Sequence, residues 1–343
     1  MAIMRIDAML AGTGIAAIAA EARGREEAGY DGLWSFEAAH DPFLALLPAA
    51  EHTRRPQLGT GIAVAFARTP MAMAYPAYDL QVHSEGRFLL GLGSQVKPHI
   101  ERRFAMPWGN PAPRMREYVA ALRAIWASWE TGERLNFRGD FYSHTLMTPF
   151  FSPAPSPWGP PKVYLAAVGE HMTRVGGEMC DGLVPHSFTT RRYLTERTLP
   201  LVDEGLAASG RTRDDFSISL SGFVVTGRTE EEMAAADRGT RQQIAFYAST
   251  PAYRTVLQMH GWEELGVELN TLSRGTDDDR WERMGTLIDD TVLAEFAVIA
   301  EPDALGPALV ERFGGLVDRF TFYAPYEHDD ATFAPAIDAL RHA

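Results

Sequence analysis

Short, almost wholly apolar runs recur along this chain, and most are followed by a stretch with helical periodicity. The first four runs begin at residues 4, 32, 59 and 87. A parallel strand buried on both faces reads as such an unbroken run rather than as an alternating one. Repeated βα units of this kind predict a parallel sheet with right-handed crossovers. The strands read from the pattern are MRIDAM (4–9), GLWSF (32–36), GTGIAVAF (59–66), RFLLGLG (87–93), KVYLAAV (162–168), DGLVP (181–185), FSISLSGFVV (216–225) and RFTFY (319–323). That makes eight, and eight βα units close as a TIM barrel. A doubly wound open sheet is the competing arrangement.

Helices are expected over 14–28, stopped by Gly29, and over about 43–54. A third is opened by Thr69 with Pro70 in its first turn, and Pro76 inside it predicts a kink. A fourth, over 113–129, places Tyr118, Leu122, Ile125, Trp126 and Trp129 on one face. Thr229 and Glu232 form a capping box for a later helix. Two stretches break the rhythm. Residues 130–161 carry six prolines between Pro149 and Pro161, and residues 248–292 carry the acidic run Asp277, Asp278, Asp279. Both are long for βα connections and are expected as excursions at the barrel rim within a single domain spanning 1–343. The acidic run reads as a solvated loop.

With 32 basic and 45 acidic residues the net charge is −13, which argues against a broad nucleic-acid or anionic-membrane surface. No apolar run approaches the ~18 residues of a membrane span. The start carries Arg5 and Asp7 before an Ala-rich amphipathic stretch, unlike a signal peptide. The single cysteine, Cys180, allows no intrachain disulfide and no cysteine-based zinc site. A reducing cytoplasm is therefore expected.

Four local patterns could carry chemistry. Gly12-Thr13-Gly14-Ile15-Ala16-Ala17 fits G-x-G-x-x-A, with Glu37 or Asp31 as a ribose-binding acid. Short Gly patterns are frequent in Ala/Gly-rich chains, so an ordinary βα turn is the preferred reading. Gly91-Leu92-Gly93-Ser94-Gln95-Val96 lacks the third glycine but places a polar turn at a strand's carboxyl end, where barrel active sites form. Glu37, His40 and Asp41 lie just beyond the second strand. Imidazole titrates near neutral pH, so proton transfer or substrate orientation is one reading and simple capping of the next helix the other. Nothing local supplies a third metal ligand. In Val168-Gly169-Glu170-His171-Met172-Thr173, a glycine at a strand-to-helix junction can present backbone N–H groups to an anion. His186 and Tyr323 are expected at the barrel mouth or packed at its rim.

The ordered set GYDGLWSFEAAHDPF, LGTGIAVAFARTPMAMA, SEGRFLLGLGSQVKPHIERRF, PWGNPAPRMREYVAALRAIW and PKVYLAAVGEHMTRVGGEMCDGLVPHSF resembles the bacterial luciferase-like superfamily, nearest the branch that uses the deazaflavin coenzyme F420. Ser84-Glu85-Gly86-Arg87 departs slightly from the family's S-G-G-R form. The resemblance implies a single luciferase-like (β/α)8 TIM barrel with rim insertions and F420-dependent hydride transfer to or from a small organic substrate. FMN is the alternative cofactor, in a luciferase-like monooxygenase. A non-catalytic flavin- or deazaflavin-binding protein is a rival of another class, and an NAD dehydrogenase on an open sheet is a distant third. The implied cofactor contacts are Gly61, Ile62, Ala63 and Val64 at a third-strand bulge with a non-prolyl cis peptide at Gly61–Ile62. They continue with Ser94, Gln95, Val96 and His99 along the ribityl chain, and with Ala167, Val168, Gly169, Glu170 and His171 around the phosphate. Related enzymes place an acid and a histidine side by side after strand two. Here two alanines separate Glu37 from His40. His40 is assigned proton transfer, with Glu37 orienting it or binding the ring edge. Family members pair as homodimers through the helices after strands two and three. The helix near 69–84, with Met71, Met73, Tyr75, Tyr78 and Leu80, holds more apolar side chains than one face can pack.

Overall fold

The apolar runs fold as the parallel strands predicted from them. The computed structural model describes residues 4–10 and 14–342. The described residues divide into two compact units, one within residues 8–184 and 201–217, the other within residues 4–7, 185–200 and 218–342.

The larger unit begins within β1 (Arg5–Met9) and continues through α1 (Ile15–Glu27), β2 (Gly32–Ser35), α2 (Pro42–His52), β3 (Gln57–Thr60), β4 (Ala63–Val64) and α3 (Pro70–His83). Then come β5 (Phe88–Gly93), α4 (Pro111–Thr131), the short β6 (Phe137–Arg138) and β7 (Ser143–His144), β8 (Lys162–Ala167), α5 (Glu170–Met179) and β9 (Gly182–Pro185). β2 pairs with β3 from Gly32↔Gln57 to Ser35↔Thr60, β3 with β5 at Leu58↔Phe88, and β5 with β8 from Leu89↔Lys162 to Leu92↔Leu165, all parallel. In the smaller unit, β10 (Ser217–Val225) carries β11 (Ala297–Ile299) on one side and β12 (Arg319–Tyr323) on the other. β12 in turn pairs with the start of β1, Arg5↔Arg319 to Asp7↔Thr321. Strands follow chain order and the last principal strand lies beside the first. A doubly wound sheet would reverse its order at a switch point. The fold is the (β/α)8 barrel.

Local signals explain the helices. Gly29, with φ +93°, ends α1 in a conformation that glycine adopts cheaply. The Thr69 side chain accepts from the Ala72 N–H at 3.2 Å and caps α3. On α4 the predicted face is buried, with Tyr118, Leu122, Ile125, Trp126 and Trp129 all at 2% exposure or less.

The structure corrects some expectations and adds detail to others. GTGIAVAF is not one continuous strand: β3 stops at Thr60, the Gly61–Ile62 peptide is cis as the resemblance implies, and β4 resumes the ladder on β5 at Ala63↔Leu92. Residues 130–161 contain the β6–β7 hairpin, whose turn is clasped by Glu117 accepting from the N–H groups of Asp140, Phe141 and Tyr142 at 2.6–2.8 Å. Residues 248–292 are mostly helical, with Leu257, Leu269, Met284 and Val292 in a shared core. The surplus apolar side chains of α3 are covered by the same chain. Tyr75 and Tyr78 meet Trp129 with ring centroids 4.9 and 5.3 Å apart, and the Tyr75 hydroxyl donates to the Phe151 carbonyl. That removes the apolar-surplus argument for pairing through α3. Among the described residues no helix is long and apolar enough to cross a membrane.

Candidate active site

In the larger unit, the loop after β2 is stitched to the break between β3 and β4. The Gly61 N–H donates to Ser35 O at 2.7 Å, and the Glu37 N–H donates to Ile62 O at 3.1 Å. The Glu37 carboxylate follows its backbone: Oε2 accepts from the Val64 N–H at 2.8 Å and from Arg68 Nη1 at 2.6 Å. Arg68 Nη2 donates to Asp41 Oδ2 at 2.7 Å, while Asp41 Oδ1 caps α2 by accepting from the Phe43 N–H at 2.9 Å. Glu37 therefore engages Arg68 and the bulge rather than His40. His40 stands exposed at the end of the loop, and its imidazole has no hydrogen-bond partner among the described residues. An apolar cleft lined by Gly14, Ile15, Ile18, Leu44 and Ala45 opens beside His40 and Asp41, with a volume of about 290 Å³.

Of the four bulge residues, only Gly61 and Ile62 are partly exposed; Ala63 and Val64 are wholly buried. Ile62 lies against Gly93 so closely that a Cβ on the glycine would come within 2.8 Å of Ile62 Cγ1 and Cδ1. A Cβ on Gly91 would come within 1.8 Å of the Thr60 carbonyl oxygen. These glycines let the two strands approach, and Thr60 Oγ1 fastens them by donating to Gly91 O at 2.8 Å. Beyond β5 the chain turns sharply, with Gln95 at φ +59°. Ser94 and Gln95 are half-exposed, and Val96 and His99 are exposed. The Ser94 hydroxyl donates to Gln95 O, and Gln95 Oε1 accepts from the Val96 N–H.

After β8, Ala167 is buried while Val168, Gly169 and His171 are exposed and Glu170 is half-exposed. Gly169 is the N-cap of α5 at φ −92° and ψ 156°, and no side chain caps this end. The backbone there is extended, a conformation open to any residue. A Cβ on Gly169 would meet nothing within 4 Å. No side chain takes up the first-turn N–H groups, and a helix N-terminus favours negative charge. β4, β5 and β8 are adjacent, so the bulge, the Ser94–Val96 turn and the α5 N-terminus follow from neighbouring carboxyl ends.

The smaller unit places the other two residues noted in the sequence in an aromatic cluster. His186 Nδ1 accepts from the Phe188 N–H at 3.0 Å, and its Nε2 lies 3.1 Å from the Tyr253 hydroxyl. Burial pushes its pKa down to about 4, leaving the ring neutral at pH 7. The Tyr323 hydroxyl is 2.9 Å from that of Tyr247. Both are packed and half-buried. Of the G-x-G-x-x-A pattern, Gly12 and Thr13 lie outside the described residues. The acidic run is solvated, with Asp277 and Asp279 paired to Arg283. Arg68 was not singled out in the sequence. Its partners lie 27 and 31 residues away, and no local pattern marks such a contact.

A family model described as luciferase-like monooxygenase matches residues 1–319. The chain belongs to this family. Among its relatives, this luciferase-like chain is 55% identical over 294 residues, 86% of each chain, to an uncharacterised protein of Mycobacterium tuberculosis strain H37Rv. It is 30% identical over 331 residues to an F420-dependent glucose-6-phosphate dehydrogenase of Amycolatopsis mediterranei strain U-32, covering 90% of this chain and 88% of that one. Its fold matches that of the coenzyme F420 dependent tetrahydromethanopterin reductase from Methanopyrus kandleri with a TM-score of 0.78 at 17% identity, covering 99% and 97% of the two chains.

Proposed function

We propose that this luciferase-like chain is an oxidoreductase that uses coenzyme F420 to transfer a hydride to or from a small organic substrate. The observation that carries the reading is the sequence of surfaces at three adjacent strand ends. A half-exposed apolar Ile62 is followed by a polar turn at Ser94 and Gln95, and then by an uncapped helix N-terminus at Gly169. A planar ring, a polyhydroxylated chain and a phosphate have that order of chemistry. The F420-dependent relatives support the same choice. Ile62 would back the ring. Ser94 and Gln95 would hold the ribityl chain, and the N–H groups of Gly169, Glu170 and His171 would hold the phosphate. Bound F420 supplies a two-electron hydride donor or acceptor.

The chain's own residues then orient the ring, exclude water and move a proton. His40 is assigned the proton, because its imidazole is exposed and uncommitted while Glu37 Oε2 is occupied by the Val64 N–H and Arg68. Ala63 and Val64 act from beneath the site, since neither side chain reaches its surface. A homodimer and a cytoplasmic location are part of the same proposal. Leu146, Phe150 and Trp158, at 77%, 88% and 51% exposure, are large apolar side chains on the first insertion that pairing would cover. The test is a parallel substrate screen. Turnover of F420 without oxygen consumption is expected, and oxygen-dependent turnover with FMN alone would favour the monooxygenase reading.

A further inference from the structure

One guanidinium holds both ends of the loop that carries His40. Arg68 ends the single 3-10 turn (Ala65–Ala67) that follows β4, and it donates through Nη1 to Glu37 and through Nη2 to Asp41. Its cationic carbon also lies 5.9 Å from the centre of the Phe43 ring, at the start of α2. Glu37 and Asp41 bracket Ala38, Ala39 and His40, and between them the loop gains one further fastening, Arg103 Nη2 donating to Ala38 O at 2.5 Å. The Glu37 side chain is only 6% exposed and that of Arg68 21%, so the pair is poorly screened by solvent. Burial works against the Arg68 charge, but the Glu37 and Asp41 carboxylates outweigh it and hold the guanidinium above its ordinary range. A planar fork with separate donors can serve two carboxylates at once in a fixed geometry, which a single ammonium does not reproduce.

We propose that Arg68 is a positioning residue. By gripping Glu37 and Asp41 together it fixes His40, which neither carboxylate bonds, relative to the Gly61–Ile62 bulge. The inference rests on the reading of His40 as the proton-handling group beside F420, and it gives Glu37 and Asp41 the task of transmitting position. In this arrangement the Glu37 grip also ties the loop to the Val64 N–H, so the loop and the bulge move as one body.

The test is histidine-selective NMR of the full chain, with His40 assigned by its loss in His40→Gln. It uses Arg68→Lys, Arg68→Met and, to avoid a buried unpaired carboxylate, the double variant Glu37→Gln/Arg68→Met. In cofactor-free protein the His40 signal is expected to shift or broaden in the Met variants and to move part-way in Arg68→Lys, while His171 and His186 stay in place. On adding F420, the wild-type His40 signal should move. In the folded Met variants that response should fall by about half or more, while the F420 Kd changes by less than about threefold. A purely structural role for Arg68 would move all histidine signals and the melting temperature together. A His40 signal and F420 response equal to wild type in a folded Met variant, or in Arg68→Lys if neither Met variant folds, would overturn the proposal. A wild-type His40 signal that ignores F420 but still depends on Arg68 overturns instead the placement of His40 beside the cofactor, and supports the grip of Arg68 on the loop.

Discussion

Gly169→Val isolates the proposed phosphate contact from the fold. With the glycine at φ −92° and ψ 156°, valine suffers no backbone conflict, and its Cβ meets no protein atom within 4 Å. The cost to the cofactor-free protein is the poorer N-cap, about 1 kcal/mol, against a typical stability of about 5–15 kcal/mol. Folding should therefore survive. The branched side chain would instead occupy the open space beside the α5 N-terminus, where the proposed phosphate would sit. Losing one charge-assisted hydrogen bond to the phosphate costs about 2 kcal/mol, or roughly a 30-fold weaker Kd. Calorimetric titration with F420 reads this directly, with a circular-dichroism melt as the folding control. A deazaflavin fragment without the phosphate tail should bind wild type and variant alike. Wild-type affinity of Gly169→Val for F420 would refute the placement of the phosphate at this helix. Equal losses for F420 and the fragment would refute it too, since the valine would then be acting on the ring site.

Three further outcomes are expected. His40→Ala should lower turnover at least about tenfold at saturating substrate with little change in F420 affinity, because a positioned acid or base contributes about 100-fold or more; unchanged turnover would make His40 a loop residue only. The neutral, buried His186 has its pKa pushed down to about 4, below its unfolded value, so its neutral packing contributes stability above about pH 6.5 that is lost as pH falls toward 4. Denaturant titrations should then show a smaller acid loss of stability in His186→Gln than in wild type between those limits, and equal slopes would contradict the buried neutral ring. Sedimentation should give a mass near twice that of the 37.9 kDa chain at micromolar concentration, and Phe150→Asp should lower it toward that of one chain; a single-chain mass for the wild type would refute the pairing.

Much of the barrel is legible in the sequence because its signals are local. Apolar runs such as FLLGLG mark strands buried on both faces, and the spacing of Tyr118, Leu122, Ile125 and Trp129 marks one helix face. Caps such as Thr69 act within three residues. The site is less legible because it is assembled across the chain. The break in GTGIAVAF is satisfied by Ser35 and Glu37 from the preceding unit, and nothing within the run itself announces those partners. Arg68 reads as an ordinary surface cation until its two carboxylates are seen beside it. The helices of 248–292 are short, and their periodicity is set by burial against one another rather than by a long amphipathic stripe. α3 reads as over-apolar because the segment that covers its second face, around Phe151, lies some way down the chain and has no regular pattern.

The central claim is the identity of the cofactor, and the most direct measurement is a side-by-side calorimetric titration of the cofactor-free protein with F420 and with FMN. F420 should bind the more tightly, with one site per chain. An FMN affinity equal to or better than that for F420 would contradict the account while leaving the barrel and the family membership intact.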